Sequence, residues 1–158
     1  MSYLSPTLTL LVGAVKKATA SLDRDFNEIE KLQSSVRGYQ NFVSRSFERV
    51  AQTLKGELSR VRPDAVFVDG KPPLSRGCCF MVNPIDGMGN FVRGIPVFAT
   101  TVAYCENGEV KASVVYNRAS DELYFAEKGS GAYKEGFRNH ERLRVSAVKD
   151  GAAALVAA

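Results

Sequence analysis

The apolar residues of this chain change their spacing once, at Arg62-Pro63-Asp64, and that single change restricts the folds open to it. Before it, Leu8, Leu11, Val15, Ala18, Leu22, Phe26 and Ile29 recur at helical intervals and share one face. Ser5-Pro6 offers an N-cap and a proline at the first helical position, so one long helix is predicted from there. Gly38 interrupts the pattern, and a second helix is predicted from about Ser44, with Phe47, Val50, Leu54, Leu58 and Val61 facing inward. Arg62-Pro63-Asp64 ends it, because a proline disfavours helical backbone in the residue before it.

Beyond that point the pattern is extended. Ala65 to Val68 is a short strand, and Asp69-Gly70-Lys71-Pro72-Pro73 is a loop by composition. Cys78 to Val82 is a continuous apolar strand. Val97 to Tyr104 and Val110 to Tyr116 flank Asn107-Gly108, a strong hairpin signal. Glu122 to Ala126 is a further strand, and Gly129, Gly131 and Gly136 punctuate a turn and another short one. Helices followed by a run of antiparallel strands make an α+β fold, two N-terminal helices packed on a mostly antiparallel sheet.

The chain has 158 residues, enough for one soluble domain with a core of useful size. Residues 1–150 are assigned to that domain. Gly151 to Ala158, nearly all Ala, reads either as a frayed terminal helix or as the start of a truncated or missing C-terminal domain. Composition excludes collagen, coiled-coil and disordered classes. The longest charge-free stretch, Met1 to Val15, is too short to cross a bilayer. No Lys or Arg precedes Lys16, which argues against a leader, so the expected location is the cytoplasm. Three cysteines cannot all pair within one chain, and the single His140 lies far from them, so free thiols are expected and a zinc site is not. The net charge of +4 is spread along the sequence and weakly permits an acidic partner.

Asn83-Pro84-Ile85-Asp86-Gly87-Met88-Gly89-Asn90-Phe91 follows the apolar strand and precedes the next one. Taken alone it is a turn. Together with Gly94, Pro96, Phe98, Asn107-Gly108-Glu109-Val110, Val114-Val115-Tyr116-Asn117, Asp121-Glu122-Leu123, Glu127-Lys128-Gly129, Gly131-Ala132 and Leu143-Arg144-Val145-Ser146, it resembles the inositol monophosphatase family, most closely its SuhB-like extragenic suppressor type. The family signature is a strand followed by Asp-Pro-Ile-Asp-Gly-Thr-Thr-Asn-Phe. The resemblance implies the first half of a layered αβαβα sugar-phosphatase fold. It also implies a Mg²⁺-dependent hydrolase of small phosphate monoesters, with metals held by carboxylates as hard cations prefer. Family members are usually dimers, so a homo-oligomer is expected. Some bacterial members bind the transcription machinery, so a protein partner of that kind is implied as well.

Carried over residue by residue, the resemblance assigns metal positions to Asp86, Asn83, Gly70 and the backbone carbonyl of Ile85. It assigns water orientation to Met88, and phosphate binding to the backbone N–H groups of Gly87 and Met88. Most of these positions are degenerate. Asn83 stands where the family has its first Asp, Met88 where it has the orienting Thr, Gly70 where it has a ligand Glu, and Lys71 where it has a second acid. Phe47 takes the place of a further Asp on the second helix. Only Asp86 is unchanged among the side-chain ligands, with Pro84, Ile85, Gly87 and Asn90 as framework. Local compensation would require Asp69 to serve one position out of register. Mg²⁺ demands near-octahedral oxygen ligation, so this set predicts weak or absent metal and a catalytically impaired pseudoenzyme acting through binding. The alternative is an active Mg²⁺-dependent inositol or sugar phosphate phosphatase.

Other polar residues read as structural. Arg93 is a solvated loop cation, and His140 sits in a charged turn without a nucleophile beside it. Tyr116, Tyr124 and Phe125 alternate as strand residues do, and Asp121 and Glu122 begin a strand.

Overall fold

A computed structural model describes residues 4–32, 36–68 and 76–155. Helices α1 (Pro6–Ala18), α2 (Leu22–Leu32) and α3 (Val36–Val61) come first. Strands β1 (Val66–Val68) and β2 (Cys78–Asp86) follow, then a one-turn helix, α4 (Met88–Phe91). The remaining strands are β3 (Ala99–Glu106), β4 (Glu109–Asn117), β5 (Glu122–Glu127), β6 (Gly131–Lys134) and β7 (Glu141–Arg142). The α+β class expected from the sequence is the class observed. No helix among the described residues is long and apolar enough to cross a membrane.

The helical half differs from expectation in two places. The long first helix is two helices, because Thr19 turns its hydroxyl back to the Val15 carbonyl at 2.8 Å and its backbone leaves the helical basin at φ −91°, ψ 0°. Threonine and serine side chains compete for backbone partners in this way, and Thr19 and Ser21 bracket the break. Leu22 N–H then bonds the Thr19 carbonyl at 2.9 Å, and the chain restarts with Leu22 still fully buried. The second correction concerns Gly38, which lies inside α3 rather than before it. A glycine in a helix costs about 1 kcal/mol relative to alanine, too little to stop a helix whose other face is buried.

The ends of these helices are tied down. Ser5 accepts from Leu8 N–H at 3.1 Å, the cap its sequence position implies. Asp25, 1% exposed, receives Arg49 Nη1 at 2.8 Å and so joins α2 to α3. Past the end of α3, Arg62 meets both carboxylate oxygens of Asp64 at 3.1 and 3.0 Å and donates to Tyr104 Oη at 2.7 Å. Val61, expected inward, is instead 37% exposed beside it.

The strands form one sheet in sequence order, β1 to β7. β1 runs parallel to β2, and every later neighbour is antiparallel. Asn107 and Gly108 turn between β3 and β4 with φ of 53° and 79°, the two left-handed residues that a type I′ hairpin requires. Alternation along the strands sends Phe80, Val102, Val114, Tyr116, Leu123 and Phe125 toward the helices, where they meet Leu11, Val15, Val50 and Leu54. Burying each such large side chain contributes about 1.5–3 kcal/mol. The opposite face carries Met81, Asn83, Thr101, Ala103, Ser113 and Val115. They line an open groove of about 340 Å³.

The last residues of the described chain are exposed, with a single 3-10 turn at Gly151–Ala153 in place of a terminal helix. His140, expected in a charged turn, is half-buried with its ring edge-on to Phe125 at 5.0 Å.

Candidate functional site

The segment singled out in the sequence sits where β2 leaves the sheet. Its strand does not stop at Val82 but continues to Asp86, pairing Asn83 with Thr101 and Asp86 with Ala99. The register slips between these two pairs. A proline cannot donate to a ladder, and Pro84 falls within the slip, where strands tolerate it. Its carbonyl is held by the buried Thr100 hydroxyl at 2.7 Å.

Gly87 then reverses the chain at φ 76°, ψ 34°. A Cβ at this position would lie 2.9 Å from the Val97 carbonyl oxygen, so both the backbone conformation and the close approach require glycine. Asn90 donates to the same Val97 carbonyl at 2.7 Å and closes the loop across seven residues. Beneath it, Phe91 and Phe98 pack edge to face at 4.9 Å, and Phe26 of α2 lies 5.2 Å from Phe98. The turn is thus clamped from the sheet by Thr100, across its mouth by Asn90 and from the helical layer by three aromatic rings.

On this frame the structure brings together Asn83, Ile85, Asp86, Gly87 and Met88. Asp86 is exposed, and its Oδ1 accepts Asn83 Nδ2 at 3.2 Å and Gly87 N–H at 3.1 Å. Ile85 is buried, and Met88 packs against the core. Arg93 is exposed and turns back to the Gly89 carbonyl at 2.8 Å. Gly70, together with Asp69 and Lys71, lies outside the described residues. Phe47 lines a hollow with Phe67, Val82 and Pro84, on the core side of α3 as its spacing implies.

The donors among the described residues do not fit a Mg²⁺ ion. The described part of the turn offers one carboxylate, and its neighbour is an amide whose N–H₂ is spent on that carboxylate. Met88 has no oxygen in its side chain. Among the described residues no three His, Cys, Asp or Glu side chains gather into a metal-binding group.

The sequence matches the model of the inositol monophosphatase family over residues 3–158. The chain belongs to the inositol monophosphatase family. It is 41% identical over 149 residues to an inositol-1-monophosphatase of Rhizobium meliloti, covering 92% of this chain and 54% of that protein. A Nus factor SuhB of Vibrio cholerae is 27% identical, over 96% of this chain and 57% of its own length. Among solved structures, the extragenic suppressor protein suhB of Bartonella henselae superposes with a TM-score of 0.74 at 34% identity, covering 91% of this chain and 56% of that one. The chain therefore spans about half the length of the curated relatives it matches.

The turn is shaped by Gly87, whose conformation and close approach to Val97 require glycine, and by the tethers from Thr100 and Asn90. Sequence reasoning missed Thr100, which supports the turn from the adjacent strand. Its signal was slight: a hydroxyl on the apolar face of β3, one residue before the partner of Asn83.

Proposed function

We propose that this chain keeps the family's phosphate-site turn but is impaired in Mg²⁺-dependent hydrolysis, and that it acts through binding. The observation that carries the reading is the Asn83–Asp86 hydrogen bond at 3.2 Å. Where the family resemblance implies two acids sharing metal ions, one is replaced by a neutral amide that donates to the other. Replacing a carboxylate by an amide removes a full negative charge while keeping the shape, so the turn persists while its attraction for a divalent cation weakens.

On this reading Met88 presents its backbone N–H toward a small phosphorylated ligand, while the Gly87 N–H, also assigned to phosphate by the resemblance, is taken by Asp86 Oδ1 at 3.1 Å, and Ile85 and Asp86 keep their places. The water-orienting hydroxyl is gone at Met88. Partners of the transcription machinery follow from the relatives named as Nus factors, and self-association into a dimer or larger assembly follows from the family. The second reading, an active Mg²⁺-dependent phosphatase on inositol phosphate or a related sugar phosphate, draws on the 41% identity to a protein of that name and on the intact frame around Gly87.

Calorimetric titration with Mg²⁺, run beside a phosphatase assay on inositol 1-phosphate, separates the two. The expected result is no saturable Mg²⁺ binding and no turnover. Stoichiometric binding with turnover would sink the impaired reading.

A further inference from the structure

The sheet face turned away from the helices holds three sulfur atoms at one place. Cys79 of β2 is paired in register with Cys105 of β3, and alternation puts both, with Met81, on the side opposite Phe80 and Tyr104. Cys105 Sγ lies 3.6 Å from Met81 Sδ. Cys79 stands directly across the ladder from Cys105, and burial and then this neighbour push the Cys105 thiol up to about 11. Cys79 is 4% exposed and Cys105 is fully buried.

A disulfide suits this pair poorly. Asn107 N–H bonds the Gly77 carbonyl at 2.7 Å, so Gly77 and Asn107 form a hydrogen-bonded pair of the antiparallel ladder. Such pairs alternate, which makes Cys79 and Cys105 hydrogen-bonded partners too, with Cα atoms about 5.5 Å apart. Their Cβ atoms are then held wider than the roughly 3.5–4.5 Å of a disulfide. A bridging atom fits better. With metal–sulfur bonds of about 2.3 Å, three sulfurs in a plane around a cation lie roughly 4.0 Å from one another, close to the 3.6 Å that separates Cys105 from Met81.

We propose that Cys79, Cys105 and Met81 form a three-sulfur site for a soft monovalent cation, Cu(I). Two thiolates and a thioether select a soft ion. A borderline ion such as Zn²⁺ would want a fourth ligand, and no His, Asp or Glu joins the cluster among the described residues. Two openings adjoin the cluster. Cys79 lines a cleft of about 200 Å³ with Asp64 and Gly77, and Met81 lines the sheet-face groove. Binding forms three copper–sulfur bonds, releases two thiol protons to solvent and leaves the oxidation state of every atom unchanged. Cys78 takes no part, because it lies on the helix side, where its sulfur meets Arg62 and Asp64.

The test is an anaerobic competition between the full chain and a chromophoric Cu(I) chelator. The chain is expected to withdraw one equivalent of copper from the chelator. Removing a supporting neighbour of a metal ligand typically weakens binding by about 10–100-fold, so Cys105→Ser, which removes a ligand, should lose at least about 100-fold. Met81→Leu should lose about 10-fold with its fold intact, since that swap conserves volume. Cys78→Ser should bind as the parent does. Three results overturn the proposal: no copper taken from the chelator, affinity unchanged in Met81→Leu, or the same loss in Cys78→Ser as in Cys105→Ser. Circular dichroism of each variant guards against loss of fold being mistaken for loss of a ligand.

Discussion

The helix-facing side of the sheet and the turn at the end of β2 are built by different rules. The first is a packing problem: Val114 has no exposed surface, Val102 and Leu123 show 1%, and Phe80 shows 2%, all closed over by α1 and α3. The second is a hydrogen-bonding problem, in which a few polar tethers hold an exposed loop in one shape. Core positions of the first kind tolerate little change of volume. The turn is held instead by the Thr100 and Asn90 tethers, neither of which carries a charge.

The sharpest way to break the contrast is at Phe91, which belongs to both regions. Phe91→Ala should cost about 3–5 kcal/mol in chemical denaturation, because it empties a fully buried site and removes the ring beneath the turn. A loss below about 1 kcal/mol would mean that the turn does not depend on the aromatic layer. Gly87→Ala should cost about 2–3 kcal/mol, the strain of a left-handed alanine meeting the Val97 carbonyl, read from the same denaturation curves.

A smaller effect is expected at the site's charge. Asn83→Asp places a second carboxylate beside Asp86, and two acids at that distance raise the pKa of one of them. The variant should lose roughly 1 kcal/mol at neutral pH and regain it on addition of Mg²⁺, while the parent's melting temperature stays unmoved by the ion. Equal Mg²⁺ responses in both proteins would overturn the role proposed for Asn83.

The smallest effect lies far from the turn. The Arg62 guanidinium, with the Cys78 thiol, holds the Asp64 carboxyl well below the usual carboxylate range. A depressed carboxyl stabilises the fold above its unfolded pKa of about 3.9, and that stability is lost as pH falls through the folded value. Asp64→Asn should therefore be slightly less stable than the parent at pH 7, with the gap closing in strong acid. A gap that widens in acid would reverse the sign and discard the pairing as its cause.

The sequence made the core legible because its signals there are periodic. Leu8, Leu11 and Val15 on one side and Val102, Val114 and Leu123 on the other follow helical and strand spacing, and all are buried. Asn107-Gly108 is legible for a different reason, since few residue pairs accept two left-handed conformations in succession. What was not legible depends on side chains that choose between partners. Thr19 could have pointed to solvent, and only its bond to the Val15 carbonyl turns one predicted helix into two. Pro84 argued for a turn at Asn83, yet Thr100 holds its carbonyl and the strand runs on to Asp86. The replaced ligands could be read by resemblance, but not that Asn83 would turn its amide onto Asp86.

The sheet order has a consequence for how the chain acquires its shape. From β2 onward each strand pairs with the one that follows it in sequence, so those pairings form between near neighbours along the chain. Folding rates fall as contacting residues become more distant in sequence, and a meander keeps that distance short. The β3–β4 hairpin, with its preformed Asn107-Gly108 reversal, can therefore assemble early and serve as the template onto which its neighbours add. Its backbone amides should be among the last to exchange with deuterated solvent, and the exposed end of the chain beyond β7 among the first.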